Sequence, residues 1–315
     1  MKRLLCLVVA VAALCLPMAS NAQLFRAYLS INGSDANPCT LPKPCRLLTA
    51  ALPQVANNGE IWMLDSANYN TGTVTIDRSV TILAVPGALG SIVSPGLTAP
   101  AIDIATPGIT VTLRNVSVIG LATQNDTMGI TLRANSQLIF EDSILANLSY
   151  GGATVSGGTL IATNATFRNV AASAVLVTGS GSASISRSRF VANSVGFDIQ
   201  SNGLPLQATI ADSAFLNNAT GVKGRATNGA IHLMIDRSEI EGSGLAAIDG
   251  ANVSGSLNVY LNGNSIRRNP VASIVTNSVG FLGTAIFGFG NNVFLFNGTT
   301  PTLIGGASLP AGSLQ

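Results

Sequence analysis

Short runs in which apolar and polar residues alternate recur along the chain, as in Ala183-Ser184-Ile185-Ser186, Thr209-Ile210-Ala211 and Leu233-Met234-Ile235-Asp236. Successive side chains of a strand point to opposite faces, so this two-residue period predicts half-buried strands. The i, i+3, i+4 spacing of an amphipathic helix is missing from the same segments. Each run is followed by Asn, Ser or Gly, residues that accept tight turns and left-handed backbone.

The runs repeat at a longer period. Taking the apolar residue in each x-Ser-x-Phe-like unit as a marker gives Ile144, Phe167, Phe190, Phe215, Ile240, Ile266 and Phe294, at intervals of 23, 23, 25, 25, 26 and 28 residues. A period of this size is that of a solenoid coil. A recurrent Asn stands three residues after the marker at Asn147, Asn193, Asn218, Asn269 and Asn297, while Asn169 follows Phe167 one position early. Stacked coils put equivalent strands about 4.8 Å apart. Equivalent apolar residues then form one continuous core, and equivalent Asn side chains can bond along the stack. One coil cannot bury its own apolar face, so the array is read as a single domain with closed ends.

The N-terminus changes the picture of where the protein works. Lys2 and Arg3 precede an apolar run from Leu4 to Leu16, and Ser20-Asn21-Ala22 precedes Gln23, the three zones of an export signal with cleavage expected after Ala22. No later segment offers about twenty uninterrupted apolar residues, so no membrane insertion is expected and the destination is the periplasm or the extracellular space. The alternative is a lipid anchor on Cys15, but Leu14 stands where lipoprotein signals carry a small residue. Cys39 and Cys45 are then the remaining cysteines, in NPCTLPKPC, and in an oxidising compartment they are read as a disulfide. Reduced thiols are the alternative; a metal site would need further ligands, and none is expected. Losing Lys2 and Arg3 takes the charge from 16 basic against 14 acidic residues to 14 against 14. A formally neutral chain argues against nucleic acid or an anionic membrane as partner, because both need a basic excess. The uncharged tail over residues 298–315 is expected to wrap or fray rather than to add a coil.

With the repeat in place, the chain resembles the right-handed parallel β-helix of the pectin-lyase-like superfamily. The stretch from YLSINGSDANPCTLPKPCRLLTAALPQVANNGEIWMLDSANYN to TIDRSVTILAVPG resembles the opening of many secreted bacterial proteins of that group. The resemblance implies an all-β solenoid with a cap over 23–75, coils over 76–297 and a short helix closing the first coil. That helix is expected over Arg46 to Ala51, with Leu47, Leu48, Ala51 and Leu52 on one face and Pro53 as its stop. Trp62 is expected in the core behind the cap.

The resemblance also implies that the strand after each Asn turn belongs to the sheet on which related lyases and hydrolases hold polysaccharide. Counting from the markers makes Thr154 and Ser156, Val175 and Val177, Asp198 and Gln200, Lys223 and Arg225, then Asp249 the outward series. Lys223 should stack beside Asp198 and Arg225 beside Gln200, with Asp249 one coil further on. Two cations and two carboxylates within about three strand spacings could hold each other ionised. The functional reading is a groove for an acidic or neutral glycan; the competing one is a cross-strand ion pair that keeps the face soluble and contributes little.

For catalysis the usual partners are missing. Calcium-dependent lyases cluster carboxylates to supply six to eight oxygen ligands, and the chain shows no such cluster. Hydrolases of this fold resemble one another in Asp-Asp, Gly-His-Gly and Arg-x-Lys motifs; here the first two are absent and Lys223-Gly224-Arg225 reverses the third. His232, the sole histidine, is expected outward on a different sheet. The sequence therefore favours a secreted, non-catalytic module contacting a glycan or cell surface, with no cofactor; the alternative is a lyase or glycoside hydrolase acting on an acidic polysaccharide.

Overall fold

A computed structural model describes residues 23–298 except 134, 279–283 and 290. The expected signal peptide and most of the expected tail lie outside the described residues. The chain winds into parallel coils with three faces. The first face runs from Val74–Ile76 through Pro100–Ile104, Met128–Leu132, Val195–Asn202, Thr220–Thr227 and Ala246–Asn252 to Ile274–Ser278. The second begins at Leu24–Leu29 and Val55–Met63 and continues to Thr284–Gly288. The third runs from Ala67–Asn68 to Val293–Leu295. Gly151–Thr163 and Ser173–Ser186 each pass from the first face to the second without a break. All-parallel sheets expose no hairpin, and every strand of one coil pairs with its equivalents before and after.

The corners follow from backbone sterics. Between second and third faces, one residue per coil takes a left-handed conformation: Asn115, Asp142, Asn164, Arg187, Asp212, Arg237 and Gly263, with φ between 42° and 63°. A second series, Asn147, Asn169, Ala192, Asn217, Gly242 and Arg268, closes the third face the same way. Asn, Asp and Gly dominate because they tolerate positive φ.

Just inside each corner runs a buried polar ladder. Ser188, Ser213, Ser238 and Asn264 each accept the backbone N–H of the preceding coil, at 2.9–3.1 Å. At the other corner the Asn193 side chain accepts from Val170 N at 3.0 Å and donates to Phe167 O and to Asn218 Oδ1 at 3.0 and 2.9 Å. Asn269 and Asn297 repeat that arrangement at 2.9 Å.

The register corrects two readings of the repeat. The residue paired with Phe167 is Leu145, not Ile144. Asn147 therefore aligns with Asn169 and the left-handed corner, and the two side chains bond each other at 3.1 Å. Leu148 and Val170 hold the ladder position in those coils, and the Asn ladder starts only at Asn193.

Inside, Phe167, Phe190 and Phe215 stack face to face at 4.8 and 4.4 Å. At the N-terminal end the Cys39–Cys45 disulfide forms as expected. The capping helix is shorter than expected, Leu48–Ala51, and Leu52–Gln54 continues it as a 3-10 turn through Pro53. Proline is compatible there, since the first N–H groups of a helical turn have no internal acceptor. Asp35 accepts from the backbone N–H of Arg46 and Leu47 at 2.9 and 2.8 Å, which fixes where the helix starts. Among the described residues no helix is long and apolar enough to cross a membrane.

The Asn ladder has one gap. Ser243 stands at the ladder position after Ile240, and its buried hydroxyl has no partner. Ser243→Asn should complete the ladder and add about 1 kcal/mol, read as a higher urea midpoint. A lower midpoint would mean that the corner has no room for the longer amide.

Candidate functional site

The middle of the first face is built by Val195–Asn202, Thr220–Thr227 and Ala246–Asn252. Phe197, Ile199, Val222 and Ile248 point inward and are buried. Alternation then sends Asp198, Gln200, Lys223, Arg225 and Asp249 to the other side. Gly224 and Gly250 occupy inward positions where a side chain would crowd Leu257. Asp198 is paired with Lys223 and Lys223 with Asp249, while Gln200 is paired with Arg225. The stacking expected from the repeat thus brings these five residues onto neighbouring strands.

Val175 and Val177 do not join them. Both are fully buried, and Leu176 is the residue aligned with Asp198.

The environment of Asp198 is not that of a solvated ion pair. It is only 3% exposed. Its Oδ2 accepts from Gln200 Nε2 at 2.8 Å and from Ser173 Oγ at 3.0 Å. Its Oδ1 is buried without a hydrogen-bond partner. Burial pushes this carboxyl above the usual carboxylate range, against the opposing pull of the two hydrogen bonds and of the Lys223 and Arg225 charges.

Neither cation closes an ion pair within 4.0 Å among the described residues. The cross-strand pair of the competing reading is therefore not made. Several arginines elsewhere do close one: Arg133 pairs with Asp103 and Arg114 with Glu141 at 2.7 Å, and Arg268 with Glu241 at 2.8 Å; among the described residues Arg168, Arg187 and Arg189, like Arg225, close none. Arg225 and Gln200 line a shallow depression of about 400 Å³ with Thr178, Ser201, Asn202 and Thr227. Asp198, Lys223 and Asp249 lie beside it rather than in it. Among the described residues no group of three His, Cys, Asp or Glu side chains could hold a metal ion.

Trp62, expected in the core, faces outward instead. The Arg26 guanidinium lies 4.0 Å over its ring, and Glu60 accepts from Trp62 Nε1 at 2.9 Å and from Arg26 Nε at 2.7 Å. The flanking Ile61 and Met63 are the buried residues, and the alternation in EIWML carried that information.

No family model matches the chain, and no curated protein matches it. Among solved structures it is similar to the pectate lyase Pel9A, at 17% identity and a TM-score of 0.61, over 93% of this chain and 80% of that one. It is also similar to XylC, solved in complex with xylose, at 10% identity and a TM-score of 0.55, over 87% of this chain and 86% of that one. The likeness establishes the fold, a pectin-lyase-like parallel β-helix.

Proposed function

We propose that this chain is an exported β-helix protein that holds an acidic polysaccharide on its first face without cleaving it. In this reading residues 23–75 are the cap, 76–297 the coils and 298–315 the tail. The observation that carries the proposal is the pair Lys223 and Arg225, unneutralised by any ion pair and placed beside a polar depression. On a formally neutral protein, two free cations on adjacent outward positions give an anionic chain a local attachment point. The fold neighbours add support for a carbohydrate, one being a pectate lyase and the other a complex with xylose. The disulfide suits an oxidising, extracytoplasmic compartment.

One observation favours the catalytic alternative. A carboxyl with a raised pKa beside two cations is the equipment of a proton donor next to an anion-stabilising pair. Hydrolysis would need a second, facing carboxylate. Asp249 is two strand spacings away on the same column, about 10 Å between backbones, at the outer edge of the separation inverting enzymes use.

The test is a glycan array probed with the chain from Gln23 onward, beside the Lys223→Ala/Arg225→Ala variant. Acidic glycans should be retained by the wild type and bound about tenfold or more weakly by the variant. Equal binding by the two proteins, or no acidic ligand at all, would overturn the proposal. Growth of the ultraviolet absorbance of unsaturated uronate on a bound glycan would replace the non-catalytic reading with a lyase.

A further inference from the structure

The second face carries a different surface. A depression of about 380 Å³ crosses five coils there, lined among others by Ser184, Gln207, Thr209, His232, Met234 and Tyr260, with no carboxylate, lysine or arginine in its wall. We propose that it is a second carbohydrate site, for a neutral oligosaccharide lying along the coil axis. This inference does not depend on the first-face cations, which lie on a different side of the coil.

Two outward columns make the site. In one, Gln207, His232 and Asn258 are register neighbours on successive strands. In the other, Thr209, Met234, Tyr260 and Phe287 follow one another. The Tyr260 and Phe287 rings stack at 5.0 Å and 14°, forming a continuous aromatic ledge at one end. Phe287 is 43% exposed.

The polar column is open only over its later part. Its earlier members Thr159 and Ser182, which also line the depression, bond each other at 2.9 Å, as neighbouring outward groups do elsewhere on this face: Thr163 with Ser186 at 3.3 Å, and Asn262 Nδ2 to Asp236 Oδ1 at 2.6 Å. Gln207, His232 and Asn258 make no such side-chain bond among the described residues, so their donors and acceptors face solvent in a line.

The coil does not require this arrangement. The positions that precede Ser184 in the Tyr260 column are Thr112, Ile139 and Ile161, and the same strands form there without an aromatic ring.

Planar amides and an imidazole spaced about 4.8 Å apart match hydroxyl pairs repeating along an extended pyranoside. The C–H face of a sugar ring packs on an aromatic face, which the ledge supplies. An anionic chain finds no counter-charge here, so the ligand class is neutral.

The test titrates xylohexaose, cellohexaose and mannohexaose, with hexagalacturonate as charged counterpart, into the chain from Gln23 onward by calorimetry. At least one neutral hexasaccharide should bind saturably. Tyr260→Ala should weaken it about tenfold, and Gln207→Ala/His232→Ala should weaken it about fivefold or more. Lys223→Ala/Arg225→Ala should leave it unchanged. Absence of binding by all three neutral hexasaccharides overturns the inference, as does binding that survives both second-face variants or is lost only with the first-face pair. If Tyr260→Ala loses its native circular dichroism, the Gln207→Ala/His232→Ala protein decides, since both of its altered side chains are exposed.

Discussion

Phe190→Ala is expected to lower the unfolding free energy by about 3–5 kcal/mol, the loss typical of truncating a large, fully buried aromatic side chain. Phe190 is fully buried and lies between two parallel rings, 4.8 Å from Phe167 and 4.4 Å from Phe215. A cavity opened there is hard to refill. The flanking coils are held at strand spacing by their backbone ladders, so neither ring can advance to cover the gap. Urea unfolding followed by circular dichroism measures the effect. A solenoid adds a second expectation, because each coil touches only its neighbours. Weakening one interface should broaden the transition or split it, with the two blocks of coils melting separately and the apparent slope falling. A loss below about 1.5 kcal/mol, in the range of a conservative core swap, would show that the stack relaxes and does not act as a rigid spine.

The same packing explains why the fold was legible in the sequence. Phe167, Phe190, Phe215, Ile240 and Ile266 fall on one column because every coil must bury an apolar side chain at that height. The pairing of Asp198 with Lys223 and of Gln200 with Arg225 was legible for the same reason, since equal coil lengths keep equal offsets. Where the offset changes, counting fails. Between the ladder position and the first-face strand stand two residues in the earlier coils, Ser149-Tyr150 after Leu148 and Ala171-Ala172 after Val170, whereas Ser194 stands alone after Asn193. The distance from marker to outward column is therefore one residue longer in those two coils. A one-residue slip exchanges the two faces of a strand, which is why counting places Val175 and Val177 outward, whereas Leu176 is the residue aligned with Asp198. Burial of Asp198 was not legible at all. It depends on Ser173 and Gln200 closing over the carboxylate from two different coils, and no local pattern reports that.

That buried carboxyl sets the other large expectation: Asp198→Leu should stabilise the protein at pH 7 by about 1–3 kcal/mol. Leu176 already occupies the equivalent position one coil earlier, so the column accepts this side chain. The pH dependence separates this cause from a simple gain in packing. Folding raises the Asp198 pKa, so the folded state holds the proton more tightly than the unfolded chain does. Below the ordinary carboxylate value of about 3.9 both states are protonated and the group carries no penalty. As pH rises, the unfolded chain releases its proton first and stability falls until the raised folded value is passed; above it the penalty is constant. The leucine variant lacks this term. Its advantage in guanidinium midpoint should accordingly be smallest near pH 3.5, grow through the acid range and then level off. A uniform advantage at all pH values would assign the gain to packing alone, and a variant less stable throughout would make Asp198 a structural group.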